Sequence, residues 1–160
     1  MGSTSDLPVM EKACKWLDDN EIPFEVNALS AHRTPDAVEA FAKGAQERGI
    51  KVIIAAAGMA AALPGVIAAS TNLPVIGVPI MGMLDGLDAM LSIIQMPPGI
   101  PTATVGVNAA QNAAILAAQI IGLSDSAVAA KVAAHKAGLG AKIEKANKDL
   151  AEVKYNFKTN

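Results

Sequence analysis

His32 and Arg33, set in the run Ser30-Ala31-His32-Arg33-Thr34-Pro35, are the residues whose types and spacing could do chemistry. Imidazole is the side chain suited to moving protons near neutral pH, and a guanidinium beside it offers a planar fork for a phosphate or a carboxylate. A lone histidine in a turn is equally the mark of a solvated loop, so the surroundings must decide. The other histidine, His135, lies amid Ala and Lys, where a surface position is expected.

A second such stretch opens the chain: Met1-Gly2-Ser3-Thr4-Ser5-Asp6, small and rich in hydroxyls, with Pro8 behind it. Glycine lets a ligand approach the backbone, and Ser3, Ser5 and the free N–H groups of a helix start can cradle a phosphate. A plain helix cap, Asp6 as N-cap with Pro8 following, explains much of this run. It leaves the serines unexplained.

The elements that position these residues follow from periodicity. Pro8 opens a helix with Val9, Ala13, Trp16 and Leu17 on one side. Residues 23–29 alternate as a strand, and Thr34-Pro35 opens a helix with an N-cap hydroxyl, so His32 falls where a parallel strand ends. In open α/β sheets that carboxyl edge is where ligands bind. The helix runs from about Pro35 to Arg48 and stops at Gly49. Residues 51–57 form a continuously apolar strand of the kind buried on both faces. Gly58 to Gly65 is a loop of small residues, letting a flat ligand lie against the backbone, and a helix spans 66–70.

A further strand covers 75–80; flexible Met81-Gly82-Met83 and then Asp85-Gly86-Leu87-Asp88 lead a helix through Ser92. The stretch 95–101, with three prolines, is irregular and suits a rigid rim. Residues 102–107 read as a strand, Asn108 as an N-cap, and 109–121 as a small-residue helix for close packing. Helical periodicity from Ser124 turns charged at Lys142. The tail cannot bury itself on its own sheet, so it is expected to pack on a neighbouring subunit, a frayed free helix being the alternative. The domains are therefore 1–123, an α/β domain carrying the candidate catalytic residues, and 124–160, a C-terminal helical extension. A loop like Met1–Asp6 normally follows a strand; either residues upstream supply that first strand, the favoured expectation, or the sheet lacks it.

Composition narrows the classes. The 160 residues suit one domain able to bury a core without disulfides or metal. Aromatics at 3% and a net charge of −2, with no basic stripe, disfavour nucleic acid as a partner. The single cysteine, Cys14, falls on the apolar phase of its helix as a buried spectator, and with no signal peptide in view the cytoplasm is the expected compartment. The apolar run 52–69 is broken by Gly58, Pro64 and Gly65, so no membrane span is expected. No metal-ligand spacing and no Walker or G-x-G-x-x-G loop occurs.

From Met1 to about Leu123 the chain closely resembles the small enzymes of purine biosynthesis that make carboxyaminoimidazole ribonucleotide. The motifs are Met1-Gly2-Ser3-x-Ser5-Asp6, Ser30-Ala31-His32-Arg33-Thr34-Pro35, Leu63-Pro64-Gly65 and Gln95-Met96-Pro97-x-Gly99, in that order. The pattern is similar to the class I branch, the N5-carboxyaminoimidazole ribonucleotide mutases. The resemblance implies a flavodoxin-like three-layer α/β/α sandwich with a parallel sheet, in a homo-oligomer, the family's octamer. It implies that Ser3 and Asp6 bind the ribose phosphate side of a small ribonucleotide, with Ser5 and Arg33 assisting, and adds Ser30, Gly58 and Leu63 to the substrate-binding set. It makes His32 the proton carrier as CO2 is lost and recaptured at a ring carbon, and implies no metal, ATP or organic cofactor. A functional coupling to an ATP-dependent synthetase of the N5-carboxylated substrate also follows.

The sequence departs from the family at Ala62, where a second histidine is expected, and Met81-Gly82-Met83 is less polar than the family's loop. Alanine can neither donate a hydrogen bond nor hold a charge. Two rivals therefore stay open: direct carboxylation of aminoimidazole ribonucleotide with CO2, and a non-catalytic nucleotide-binding module. Retention of His32 argues against the second, since a pure binder needs no proton carrier.

Overall fold

The computed structural model describes residues 1–159, so Asn160 lies outside the description. A 3₁₀ turn, Thr4–Asp6, leads into α1 (Leu7–Asp19); then come α2 (Pro35–Gly44), β1 (Ile53–Gly58), α3 (Leu63–Ser70), β2 (Val75–Ile80), α4 (Leu87–Ile94), β3 (Ala103–Thr104), α5 (Ala110–Gly122) and α6 (Ser126–Glu152). The strands form a parallel sheet in the order β1-β2-β3.

The β1–β2 ladder runs from Ile53↔Val75 to Gly58↔Ile80, and β2 is buried along its whole length. Burial on both faces explains the unbroken apolar runs, because a parallel sheet is covered by helices on either side. Ala56, Ile76 and Val78 pack with α1 and α5, where Ala113, Ala114, Ala117 and Ala118 keep the helix close. Ile53, Ala55, Ala57 and Val75 pack with α2, α3 and α4 on the opposite face. Pro79 is tolerated in β2 because its carbonyl accepts from Asn108 N–H on the β3 side, beyond the last β3 pair at Gly77↔Thr104. Its missing N–H therefore removes no ladder bond.

Several expectations are corrected. Residues 23–29 form no regular strand: Met1 alone bonds alongside them, donating to Asn27 O and accepting from Leu29 N–H, too little to make a ladder. Residues 102–107 shrink to the two-residue β3. α2 ends at Gly44, and the chain continues in turns to Gly49, whose φ of 85° closes the segment. The helix expected over 66–70 begins a turn earlier, at Leu63. Asp6, Thr34 and Asn108 do not cap their helices through their side chains: Asp6 turns back to the serine loop, Thr34 to Ser30, and Asn108 to Met81.

His135 is not a free surface residue. Its Nδ1 accepts from Trp16 Nε1–H at 3.1 Å, with the two rings edge-to-face and their centroids 5.4 Å apart. This bond, with Val128 and Val132 packed on the core and Lys131 Nζ donating to Glu21 O, holds the first half of α6 on α5 and against Trp16 of α1. From Lys136 to Glu152 every residue of α6 is exposed.

At Gly77 an added Cβ would lie 2.3 Å from Ile93 Cγ2. Gly77→Ala is expected to cost about 1–3 kcal/mol and Ile93→Ala about 2–5 kcal/mol, the double variant costing less than their sum because removing the Ile93 branch frees the space. Urea unfolding of the three variants checks this.

Candidate active site

Two loops meet beside the carboxyl end of β1. The first is the serine loop. Ser3 N–H donates to Asp6 Oδ2 at 3.2 Å, Ser5 N–H to Ser3 Oγ at 3.1 Å, and the hydroxyls of Ser3 and Ser5 lie 3.0 Å apart. Asp6 is 8% exposed, and its Oδ1 lies 3.5 Å from Ser5 Oγ. This closed capping box fixes both serines while the Ser5 hydroxyl stays at the surface.

The second loop is the turn 30–34. Ser30 N–H donates to Thr34 Oγ1 at 3.0 Å, Thr34 Oγ1 donates to Ser30 O at 3.1 Å, and Thr34 N–H reaches Ser30 O at 2.8 Å. A hydroxyl that satisfies both backbone groups of Ser30 winds the turn tightly, which stands His32 and Arg33 out into solvent.

Arg33 joins the two loops. Its Nε donates to Ser30 Oγ at 3.2 Å and its Nη2 to Gly2 O at 3.0 Å. Gly2 N–H in turn reaches Ala56 O in β1 at 3.1 Å. His32 is thus tied, through its neighbour, to the serine loop and to the sheet. The other guanidinium N–H groups remain for an anion.

The same edge carries backbone strain. Met59, Leu84, Asp85 and Asn108 all have φ between 49° and 57°, a region side chains disfavour. All four follow β1, β2 or β3 at their carboxyl ends, and such strain gathers where loops are held for function. Asn108 was not a site candidate from sequence; its Oδ1 accepts from Met81 N–H at 2.9 Å and pins the loop after β2. Its position after a strand was the available signal, misread as a helix cap.

Of the other candidates, Gly58 ends β1, where an added Cβ would meet Ile80 O at 3.4 Å. Leu63 does not present its side chain to a ligand: it is 3% exposed, in the core between the sheet and α2 and α3. Ala62, half-buried, immediately precedes α3. Among the described residues no three His, Cys, Asp or Glu side chains come together as a metal site would require.

The AIR carboxylase family matches residues 1–142. The chain belongs to that family. It is 60% identical over 124 residues to the N5-carboxyaminoimidazole ribonucleotide mutase of Pyrococcus abyssi, covering 77% of this chain and 71% of the relative. The mutase of Pyrococcus horikoshii is 51% identical over 154 residues, 96% of this chain and 87% of that one. The crystal structure of Treponema denticola PurE superposes with a TM-score of 0.82 at 30% identity, covering 94% of each chain. The fold is therefore the flavodoxin-like parallel α/β/α arrangement of this family, as expected from the motifs.

Arg33→Ala removes the bonds to Gly2 and Ser30 together. Amide exchange in residues 2–6 is expected to quicken roughly fivefold to thirtyfold, equivalent to ~1–2 kcal/mol of local stability, with unchanged exchange in β2. Hydrogen-exchange mass spectrometry measures both.

Proposed function

We propose that this family member is an isomerase of de novo purine biosynthesis, converting N5-carboxyaminoimidazole ribonucleotide to 4-carboxy-5-aminoimidazole ribonucleotide. The observation that carries the assignment of roles is the Arg33 Nη2 bond to Gly2 O at 3.0 Å, which brings a proton-carrying histidine and a phosphate-sized serine loop to one edge of the sheet.

In this reading the hydroxyls of Ser3 and Ser5 hold the phosphate end of the ribonucleotide, with Asp6 setting their geometry and Ser30 holding Arg33 toward the substrate's anionic groups. Gly58 admits the flat ring close to the backbone. Leu63 supports the site from the core and does not touch the substrate through its side chain. The N–CO2 bond breaks as His32 gives a proton to the exocyclic nitrogen, leaving CO2 and the ring amine; the ring carbon attacks the trapped CO2, and His32 recovers its proton from that carbon. Trapping CO2 beside its acceptor removes the cost of a second bimolecular encounter, and a positioned acid/base contributes ~10²–10⁴-fold.

The assembly is proposed to be a homo-oligomer, the family's octamer. Support comes from Met59, Met81, Met83 and Leu84, exposed around the site, and from Leu139, Ile143, Leu150, Tyr155 and Phe157, exposed along the outer half of α6 and the tail. Large apolar side chains in such density mark surfaces that another chain covers. Residues 124–160 then form the extension that packs on neighbours. The single cysteine fits a cytoplasmic location, and no described helix is long and apolar enough to cross a membrane. An ATP-dependent synthetase is the proposed supplier of the N5-carboxylated substrate.

Ala62 keeps direct carboxylation of aminoimidazole ribonucleotide as a second reading. Purified protein is expected to turn over N5-carboxyaminoimidazole ribonucleotide at low bicarbonate; activity seen only with aminoimidazole ribonucleotide and high bicarbonate would select the carboxylase, and binding without turnover on either substrate a nucleotide-binding module. His32→Asn is expected to keep substrate affinity within about tenfold while lowering turnover by ~10²-fold or more. A variant at full rate would remove His32 from the mechanism.

A further inference from the structure

α6 is held to the body over its first half only, and the contact that ends the held part joins two ring nitrogens. Trp16 Nε1 lies 3.1 Å from His135 Nδ1, with the rings at 87° to each other. An indole N–H can only donate. Nδ1 of His135 is therefore the acceptor, which places the ring's one proton on Nε2 and requires a neutral imidazole. A second proton would put an N–H on both nitrogens and leave no lone pair for the indole.

The surroundings offer that added charge no partner. α5, on which α6 packs, carries no ionisable side chain. On α1, Lys12 and Asp19 lie one turn to either side of Trp16, and Asp19 is taken by Lys15 at 2.9 Å; Glu11 and Asp18 project from other sides of the helix. Lys131, one turn before His135, has its ammonium 3.5 Å from Glu21 Oε2, just beyond α1. Lys136, next in the chain, is exposed. Among the described residues no carboxylate pairs with His135.

Trp16 is 5% exposed, and among the described residues its N–H has no acceptor but His135. A protonated His135 would leave that buried donor orphaned beside a like-directed N–H, and the pair is relieved only when the helix moves off and water enters. Beyond His135 nothing resists the movement, because residues 136–152 are exposed. Behind it Val132 and Val128 hold α6 by apolar contact, which a change of pH leaves intact.

We propose that the Trp16–His135 pair is a pH-operated latch that sets where α6 leaves the body: closed on the neutral imidazole, and released back to Val132 when His135 is protonated. The bond selects the neutral form, so its contribution is whole at the upper end of the range in which histidines titrate and is lost as pH falls through it. Release uncovers the indole and frees about one further turn of helix. The outer half, with Leu139, Ile143 and Leu150 exposed along it, then changes direction relative to the body.

The test measures hydrogen exchange at residues 130–136 at about pH 7.5 and about pH 5.5, as protection factors that remove the intrinsic pH dependence of exchange. Three chains are compared: the protein itself, His135→Asn, whose Oδ1 takes the place of Nδ1 without a titratable proton, and His135→Leu, which has no acceptor. The protein is expected to lose protection about tenfold at the lower pH, with the emission of its single tryptophan shifting to the red. His135→Asn is expected to stay protected at both, and His135→Leu to be weakly protected at both. Acid acting on the Asp125 cap or on Glu21 is common to all three chains, so the difference between them decides. Equal protection of the protein at the two pH values, an equal acid loss in His135→Asn, or full protection of His135→Leu overturns the proposal. His32→Asn is expected to keep the whole response, which separates the latch from the other histidine.

Discussion

The parallel ladder between β1 and β2, buried on both faces, is the constraint on which the rest depends. A strand covered on two sides admits no polar side chain, and helices must lie close above and below it. That requirement explains the unbroken apolar runs, the alanine face of α5, and Gly77 under Ile93. It also sends every loop that follows a strand to one edge, because parallel strands share a direction. Gly58 and the loops after β1 and β2 collect there as a geometric consequence of the ladder, whereas the serine loop and the His32 turn follow no ladder strand and are brought there by the bonds of Gly2 and Arg33.

What the ladder cannot do is hold those loops in shape, and a different set of interactions does so. Asp6 braces the serines, Thr34 winds the His32 turn, Asn108 pins the loop after β2, and Arg33 ties the first two together. All are polar side chains bonded to backbone at element ends, where regular structure leaves N–H and C=O groups without partners. The strained φ values at Met59, Leu84, Asp85 and Asn108 persist beside these braces. The site is thus rigid in its loops while open to solvent.

The outer side of β1 and the docking of α6 are held by different contacts. α6 is anchored by Trp16 and His135 and then leaves the core. Beside β1, Met1 and Gly2 bond to residues 27 and 29 on one side and to Ala56 on the other, next to an apolar cavity lined by Met10, Leu17 and Ile67.

The sequence by itself determined the parallel α/β class, the positions of β1 and β2, the amphipathic sides of α1 and α5, and His32 and Arg33 at a turn, because periodicity and turn chemistry are local. Four ordered motifs also placed the chain in its family. Tertiary structure alone decided the rest. Residues 23–29 have strand propensity, yet no regular strand forms, since a ladder needs a partner that propensity cannot supply. Asp6, Thr34 and Asn108 read as helix caps because local chemistry favours that; each instead serves a group that only folding brings near. Leu63 belongs to the core, and His135, polar and set among Ala and Lys, is half-buried against a tryptophan 119 residues away in sequence. Local patterns specify which backbone state a segment prefers. Which side chain meets which partner depends on the packing of distant segments.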